Sequence, residues 1–267
     1  MAEFDGKWAL VTGASAGIGR ALACELARRG ARLILTARRR DRLEALAAEL
    51  RASGTEVRVL AADLFDPEAP ARIFAFAEAE GLAVEILINN AGLGQSGRFV
   101  ESPEEQELAQ VRVNCEASVR LARLFVPPMV ARGRGWVLFL ASTASFEPLP
   151  YFATYAATKA FDRFFALGLA EEVARFGVKV TALCPGPTDS EFFAVARADA
   201  FKMRSMQSAE LVARKALDGL ARGRRTVLPS LDGRLLAFAV RFLPVGWITR
   251  AVEHCARPKK SAGKEIS

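Results

Sequence analysis

An eight-residue stretch, TYAATKAF at 154–161, places a tyrosine four positions ahead of a lysine among small and apolar residues. In an α-helix these two side chains lie on one face, a single turn apart, so Tyr155 and Lys159 can share a pocket. An ammonium group beside a phenol favours the phenolate form, which suits the pair to proton transfer. The spacing by itself more often reflects a buried tyrosine beside a surface lysine. Other features of the sequence are therefore needed to distinguish a catalytic pair from a structural one.

A glycine-rich segment, TGASAGIG at 12–19, follows a short apolar run that predicts a strand and precedes a helical pattern. Its spacing is G-x-x-x-G-x-G rather than the more common G-x-G-x-x-G. Glycines here let the backbone turn tightly and approach a pyrophosphate, to which the next helix N-terminus offers amide donors. The segment therefore predicts a dinucleotide site. Its predicted residues are Gly13, Ser15, Ala16, Gly17, Ile18 and Gly19.

The end of the second predicted strand, TARRRDRL at 36–43, concerns the choice of cofactor. A site for NAD usually offers an acidic residue to the ribose there, whereas a 2′-phosphate calls for arginine. Ala37 stands in that place, and Arg38 and Arg39 follow it. The alternative is that these arginines are simply exposed to solvent at the start of a helix. Cations are disfavoured near a helix N-terminus, however, unless an anion neutralises them. The stretch therefore predicts NADP(H).

Seven short apolar runs alternate with longer segments of helical periodicity, such as 18–29 and 40–53. This alternation predicts an α/β fold, a doubly wound parallel sheet of about seven strands with helices on both faces. Ligands then bind at the carboxyl ends of the strands. The predicted strands span 8–13, 32–37, 57–62, 85–90, 135–142, 178–185 and 225–229.

Composition excludes several other classes of site. The 267-residue chain has one histidine, His254, which argues against a histidine-based catalytic triad and against a histidine-rich metal site. Its four cysteines are far apart and form no C-x-x-C motif, which argues against a zinc site and a disulfide framework. The charged N-terminus predicts no signal peptide, and no uncharged run reaches the ~18 residues of a membrane span. We therefore expect no metal and a cytoplasmic protein.

Three motifs in this order resemble the short-chain dehydrogenase/reductase family in its single-domain cytosolic form. They are TGASAGIG, then NNAG at 89–92, then YAATK with Ser142 thirteen residues before Tyr155. The likeness covers roughly residues 6–190. It implies a Rossmann-like fold and oxidoreductase activity, and it suggests a homodimer or homotetramer.

The resemblance implies a role for each residue of the catalytic set. Tyr155 would protonate the carbonyl oxygen as hydride arrives, and Lys159 would lower the pKa of that tyrosine and hold the nicotinamide ribose. Ser142 would donate a hydrogen bond to the substrate oxygen. Asn114 would anchor a water that links Lys159 to solvent. Each also has a structural alternative, such as a strand-end cap for Ser142 and a helix-kink residue for Asn114.

Further cofactor contacts follow from the same resemblance. Asp63, in the pair Asp63–Leu64, would bind the adenine amino group. Residues of NNAG would line the adenosine ribose, and residues of PGPTDS at 185–190 would seat the nicotinamide. Thr188 replaces a more usual apolar residue, and Ser190 stands where threonine is usual. The residues implied are Asp63, Leu64, Asn90, Ala91, Gly92, Pro185, Gly186, Thr188 and Ser190.

The C-terminal quarter differs from the rest in charge. Residues 209–267 hold 12 Lys/Arg against 5 Asp/Glu, so they carry the whole net charge of +7. We expect a catalytic domain at 1–230, with a substrate lid at about 191–207, and an apolar, basic extension at 231–267. Lipid, a second subunit and the substrate pocket are alternative partners of this extension, and nucleic acid is not expected.

The predicted lid would form an apolar, adaptable wall, although two packed helices fit its sequence as well. Its apolar residues are Phe192, Phe193, Phe201, Met203 and Met206. Taken together, the sequence predicts an NADP(H)-dependent oxidoreductase that interconverts a carbonyl and an alcohol on an apolar or lipid-like substrate. The alternative is a non-catalytic NADP-binding sensor or scaffold, which would be expected to lack Tyr155 or Lys159.

Overall fold

A computed structural model describes residues 3–201 and 206–257 of the chain. Its centre is a seven-stranded parallel sheet in the order β3-β2-β1-β4-β5-β6-β7. All seven predicted strands are present, each within one residue of the predicted start and two residues of the predicted end. The strands are β1 Trp8–Thr12, β2 Arg32–Ala37, β3 Val57–Ala61, β4 Val84–Asn89, β5 Gly135–Leu140, β6 Val178–Leu183 and β7 Thr226–Val227.

Helices connect the strands and cover both faces of the sheet. The α-helices of the described residues are α1 Gly17–Arg28, α2 Arg40–Ala52, α3 Ala69–Ala79, α4 Glu104–Val111, α5 Ala117–Ala131, α6 Ala153–Ala174, α7 Phe192–Val195, α8 Ala209–Ala221, α9 Leu231–Ala239 and α10 Val245–Ala256. A π-helical segment, Arg112–Glu116, joins α4 to α5. The doubly wound fold predicted from the sequence is confirmed.

The two faces of the sheet have separate apolar cores, because successive strand residues point to opposite sides. In β1, Val11 packs in a cluster with side chains of α1, α2 and α8, whereas Leu10 packs with side chains of α3, α5 and α6. All five residues of β1 are buried. Both faces are therefore closed to water, and a ligand has access only at the strand ends.

Strand order reverses between β1 and β4, which are neighbours in the sheet but not in sequence. The chain leaves β1 toward β2 on one side and leaves β4 toward β5 on the other. The connections therefore separate at the carboxyl ends of β1 and β4 and leave a crevice, the usual ligand site of such sheets.

The C-terminal extension contains α9 and α10, which are separated at Pro244 as its sequence predicts. Arg234 and Arg241 do not share one helical face, although they are seven positions apart, because α9 ends at Ala239 and Arg241 lies in the turn beyond it. Among residues 3–201 and 206–257, no helix has both the length and the apolar character needed to cross a membrane.

Candidate active site

A cavity of about 490 Å³ opens at the carboxyl ends of the strands. It is lined by residues that directly follow β1, β4, β5 and β6, so the crevice expected from the topology is where the candidate residues meet. The structure brings together in this cavity every residue assigned above to cofactor binding, along with Ser142, Tyr155 and Lys159 of the catalytic set. Asn114 is the one candidate that does not line it.

The glycine loop forms one wall of the cavity. Gly13 has φ of +66°, and a Cβ there would come within 2.8 Å of Asn90 Nδ2, so a larger residue would displace the neighbouring loop. Helix α1 starts at Gly17 after Ala16, which provides no side-chain cap, and its first turn has no acidic residue. The first N–H groups of α1 are therefore available to an anion in the cavity.

Thr12, which sequence reasoning did not single out, ties the glycine loop to the NNAG segment. Its Oγ1 accepts hydrogen bonds of 3.0 Å from the N–H groups of Asn90 and Ala91 and donates one of 3.1 Å to Ile88 O. In return Asn90 Nδ2 donates to Thr12 O at 2.7 Å. Because Thr12 is 1% exposed, these contacts fix the two loops against each other without competition from water. The signal in the sequence was a polar residue at the end of a buried apolar strand.

Arginines lie at the rim of the cavity beyond β2. Arg38 is exposed and lines the cavity. Arg39 donates to Ser15 Oγ at 3.3 Å and to Glu191 Oε2 at 2.9 Å, and Arg42 donates to the other Glu191 oxygen at 2.6 Å. Hydrogen bonds from Arg42 and Arg39 hold the pKa of the Glu191 carboxyl below its ordinary value. Glu191 and Arg42 were missed in the sequence because their pairing joins segments about 150 positions apart.

Tyr155 and Lys159 lie on α6 and face the cavity, with Ser142 at the end of β5. Lys159 Nζ lies 6.0 Å from the centre of the Tyr155 ring and donates to Leu140 O at 2.6 Å. Ser142 caps a short 3-10 helix, Thr143–Phe146, because its Oγ accepts from Ala144 N at 3.1 Å. As an acceptor there, the hydroxyl keeps its own proton free to donate.

Burial and Lys159 have opposite effects on the pKa of Tyr155. Burial raises the pKa of Tyr155 above its ordinary value, and Lys159 and the nearby Ser142 hydroxyl only partly oppose this. Lys159 thus acts in the expected direction and lowers the pKa of Tyr155, but burial outweighs its effect in the chain alone. Part of the reason is Asp162, a buried residue not considered in the sequence, whose Oδ2 accepts from Lys159 Nζ at 3.0 Å.

Asn114 lies in the π-helical segment, fully buried behind the cavity wall. Its Oδ1 accepts from Leu93 N at 2.7 Å, and its Nδ2 donates to Leu93 O and to Thr158 Oγ1. Its backbone carbonyl accepts from Ser118 Oγ at 2.7 Å. The structure thus shows that Asn114 joins the segment after β4 to α6, and its role as a water anchor stays a prediction.

The segments after β3 and β6 complete the cofactor side of the cavity. Asp63 Oδ1 accepts from Phe65 N at 3.0 Å, which holds the turn that presents it. Thr188 is 4% exposed and donates to Gly186 O at 2.9 Å. Its buried hydroxyl is satisfied locally, which explains how threonine replaces an apolar residue here. Ser190 lies against the glycine loop, since a Cβ on Gly17 would come within 3.1 Å of its Cβ.

Aromatic rings form the substrate side of the cavity. The Tyr155 ring stacks on Phe152 with centroids 4.3 Å apart, and Phe192 lies 5.2 Å from Tyr155. Phe201 stacks on Phe152 at 5.2 Å. Met206 packs against the same apolar cluster, whereas Met203 lies outside the described residues. The sequence of 191–207 fits either an apolar lid or two packed helices. The described part of this segment forms short helices that pack over Tyr155.

The C-terminal extension reaches this wall. Leu236 of α9 lines the cavity, and Val252 of α10 packs against the aromatic cluster. Tyr151 donates from its hydroxyl to Glu253 Oε1 at 2.8 Å. The basic tail at 258–267 lies outside the described residues. In the described part of the chain, no group of three or more His, Cys, Asp or Glu side chains is placed to hold a metal ion.

Comparison with known proteins identifies the family. The family model described as short chain dehydrogenase matches residues 7–200. A very-long-chain 3-oxoacyl-CoA reductase of Podospora anserina is 39% identical over 184 residues, which cover 66% of this chain and 53% of that protein. The chain thus spans about half the length of this curated relative.

Solved structures extend the likeness to the C-terminal quarter. A short-chain dehydrogenase from Sphingobium yanoikuyae in complex with NADPH is 33% identical, with a TM-score of 0.80 and coverage of 98% of this chain and 99% of that one. The bulky-bulky ketone specific alcohol dehydrogenase from Comamonas testosteroni is 29% identical, with a TM-score of 0.76 and 97% coverage of each chain. The chain belongs to the short-chain dehydrogenase/reductase family.

Proposed function

We propose that the protein is an NADP(H)-dependent oxidoreductase that interconverts a carbonyl group and an alcohol by hydride transfer. The observation that carries this proposal is the single cavity in which Tyr155, Lys159 and Ser142 face the glycine loop and the arginine rim. A proton donor, a dinucleotide cradle and cations for a 2′-phosphate are therefore present together. A non-catalytic NADP-binding protein would not need the proton donor.

The residues of the cavity fit NADP(H). The uncapped start of α1 and the close approach of Gly13 to Asn90 leave a cradle with backbone donors for the pyrophosphate. Arg38, Arg39 and Ser15 would hold the 2′-phosphate, since guanidinium groups bind phosphate oxygens in pairs. When bound, NADPH supplies a hydride for the carbonyl carbon.

The chain's own residues then manage the oxygen and the proton. Ser142 donates a hydrogen bond to the carbonyl oxygen and orients it. Tyr155 gives its phenolic proton to that oxygen as negative charge develops there, and takes a proton from the alcohol in the reverse direction. Lys159 lies below the Tyr155 ring and would hold the nicotinamide ribose. The aromatic wall excludes water from the reacting atoms.

The substrate class follows from the wall opposite the glycine loop. Phe152 and Phe192 pack against Tyr155, and Phe201 stacks on Phe152. Leu236 of α9 also lines the cavity. Such a wall binds apolar groups and leaves one polar point, the carbonyl oxygen, to Ser142 and Tyr155. The likeness to a very-long-chain 3-oxoacyl-CoA reductase and to an alcohol dehydrogenase for bulky ketones supports an apolar or lipid-like ketone as substrate.

Cofactor titrations and a substrate panel test this proposal. We expect NADPH to bind at least about tenfold more tightly than NADH, a difference of about 1.4 kcal/mol. Arg38→Asp should reverse that order, because it exchanges a cation for the anion that suits a free ribose. A panel of ketones of increasing chain length, followed by NADPH absorbance, should give turnover that rises with apolar size. Equal affinities for the two cofactors would contradict the cofactor assignment.

We also propose that the C-terminal extension contacts an anionic membrane surface. Among the described residues, seven of the fifteen exposed large apolar side chains lie within 231–247, and Phe242 and Trp247 are 72% and 66% exposed. Arg234, Arg241 and Arg250 are exposed beside them. Exposed apolar rings flanked by cations suit an interface of lipid chains and anionic headgroups.

Vesicle sedimentation tests the membrane contact. The protein should sediment with vesicles that contain phosphatidylserine at low salt and be released at high salt, since the ionic attraction is screened. Trp247→Glu should abolish binding. A protein that remains in the supernatant at low salt would contradict the proposal.

A homodimer is proposed through a different surface, the exposed apolar face shared by α4 and α6. Leu108 and Val111 of α4 and Phe161 and Phe164 of α6 are exposed although large and apolar, and the two helices are in contact. Apolar patches of this kind mark interaction surfaces. Phe164→Glu should give a monomer in analytical ultracentrifugation yet keep vesicle binding, whereas Trp247→Glu should stay dimeric. A wild-type monomer would contradict the dimer.

A further inference from the structure

Asp162 is a buried carboxylate that the mechanism above does not use. It lies on the same face of α6 as Tyr155 and Lys159, because the three residues are spaced by four and then three positions. Its side chain is 3% exposed, and Oδ2 accepts a hydrogen bond of 3.0 Å from Lys159 Nζ. The other oxygen, Oδ1, is buried and has no partner among the described residues.

A carboxylate at this place is costly, since it loses its hydration and only one of its oxygens is paired. Burial raises the pKa of Asp162 to about 6, against the opposing attraction of the Lys159 ammonium. The carboxyl is therefore ionised at neutral and alkaline pH and takes up a proton in mild acid. An apolar side chain would fill the space at lower cost, so packing alone does not account for this residue.

Other titratable groups face the pair from three parts of the fold. Tyr155 lies on the same helix. Cys115 in the π-helical segment and Cys184 after β6 are thiols whose pKa is raised by burial, to about 12 and about 11, so both are neutral. Arg163 is the next residue of α6, and burial lowers the pKa of its guanidinium. Among these groups Asp162 is the only anion at neutral pH.

We propose that Asp162 is a positioning residue that holds the Lys159 ammonium and offsets its charge toward Tyr155, so that Tyr155 remains a phenol over a wider pH range. The phenol is the form that donates a proton during carbonyl reduction, and the inference rests on the proposed function to that extent. A negative charge two helical turns away disfavours a phenolate. Burial is the main reason that the pKa of Tyr155 is raised, and the negative charge of Asp162 adds to it.

The ionisation of Tyr155 can be measured without any turnover. The chain contains two tyrosines, so Tyr151→Phe leaves Tyr155 as its single source of tyrosinate absorbance. In this background, Asp162→Asn keeps the shape of the side chain and removes its charge. We expect the ionisation midpoint of Tyr155 to fall by about one pH unit. Circular dichroism at each pH verifies that the fold is intact.

A matched control is available on the same helix. Glu171 pairs with Arg225 at the surface at 2.8 Å, so Glu171→Gln removes one charge from α6 far from Tyr155. This control should leave the midpoint unchanged. With NADPH and a ketone, the alkaline loss of kcat/KM should move down by the same pH interval in Asp162→Asn as the tyrosine midpoint.

Three outcomes decide the proposal. A midpoint in Asp162→Asn equal to that of Glu171→Gln overturns it. If the midpoint is lower in Asp162→Asn but the wild type shows no NADPH-dependent turnover, the electrostatic link is supported and the proposed function is overturned instead. If Asp162→Asn does not fold, Asp162→Leu replaces it, because an apolar side chain can fill the buried space without the charge. A Tyr155 midpoint that falls in this variant supports the proposal, and a midpoint equal to that of Glu171→Gln overturns it.

Discussion

Thr12→Val removes one oxygen from the junction of the glycine loop and the NNAG segment. The wild-type Oγ1 makes three hydrogen bonds at 3.0–3.1 Å in a site that is 1% exposed. The Asn90 N–H also donates to Ile88 O at 3.0 Å, so these two groups keep a partner in the variant and the Ala91 N–H is affected most. At about 1 kcal/mol for each hydrogen bond, the variant should lose about 3 kcal/mol of unfolding free energy.

Thr12→Ser is the matched control, since it keeps the hydroxyl and loses only a methyl group, worth about 1 kcal/mol. Urea unfolding followed by circular dichroism measures both variants. NADPH affinity should fall in Thr12→Val as well, because Asn90 and Gly13 are no longer held together. A Thr12→Val protein at least as stable as Thr12→Ser would refute the reasoning, since the hydroxyl would then contribute no more than the methyl group.

Three further predictions concern the same cavity and its supports. Glu191→Gln should tighten NADPH binding by roughly threefold, because the carboxylate no longer competes with a 2′-phosphate for Arg39, while NADH binding in the same titration should not change. Gly19→Ala should lower thermal stability and NADPH affinity, because a Cβ would collide with Asn90 Nδ2 and Gly13 O. The control Gly168→Ala in α6, where a Cβ would meet open space, should be neutral or stabilising in thermal melts. Hydrogen bonds from Arg28 and Arg29 lower the pKa of Glu25 to about 2, below its value in the unfolded chain. The stabilisation that Glu25 provides is therefore present at neutral pH and is lost as pH falls toward 2. In urea unfolding, the stability difference between wild type and Glu25→Gln should shrink over that range.

The fold was predictable because periodicity and strand–helix alternation are local properties of the sequence. Apolar runs such as the one at 8–13 are buried on both faces, and their alternation with helices favours a doubly wound parallel sheet. The glycine loop and the arginines after β2 were predicted from their place at strand ends, whereas the other cofactor and catalytic residues were implied by the family resemblance. Spacing within one helix placed Tyr155 and Lys159 together.

What the sequence did not reveal depends on contacts between distant segments or on burial. The Thr12 hydroxyl bonds residues 76 to 79 positions away, and Glu191 reaches Arg42 across 149 positions. The raised pKa of Tyr155 arises from burial, which no spacing rule measures. Asp162 could have been noticed, because its position continues the stripe of Tyr155 and Lys159, but a polar residue on a helix is more often exposed.

The central claim, that Tyr155 is the proton donor of an NADPH-dependent carbonyl reduction, is tested most directly by Tyr155→Phe. Turnover of a ketone that the wild type reduces should be lost, while NADPH affinity measured by fluorescence titration stays within about twofold, because only the phenolic hydroxyl is removed. A Tyr155→Phe protein that binds NADPH normally and still reduces the ketone at a substantial fraction of the wild-type rate would contradict the account.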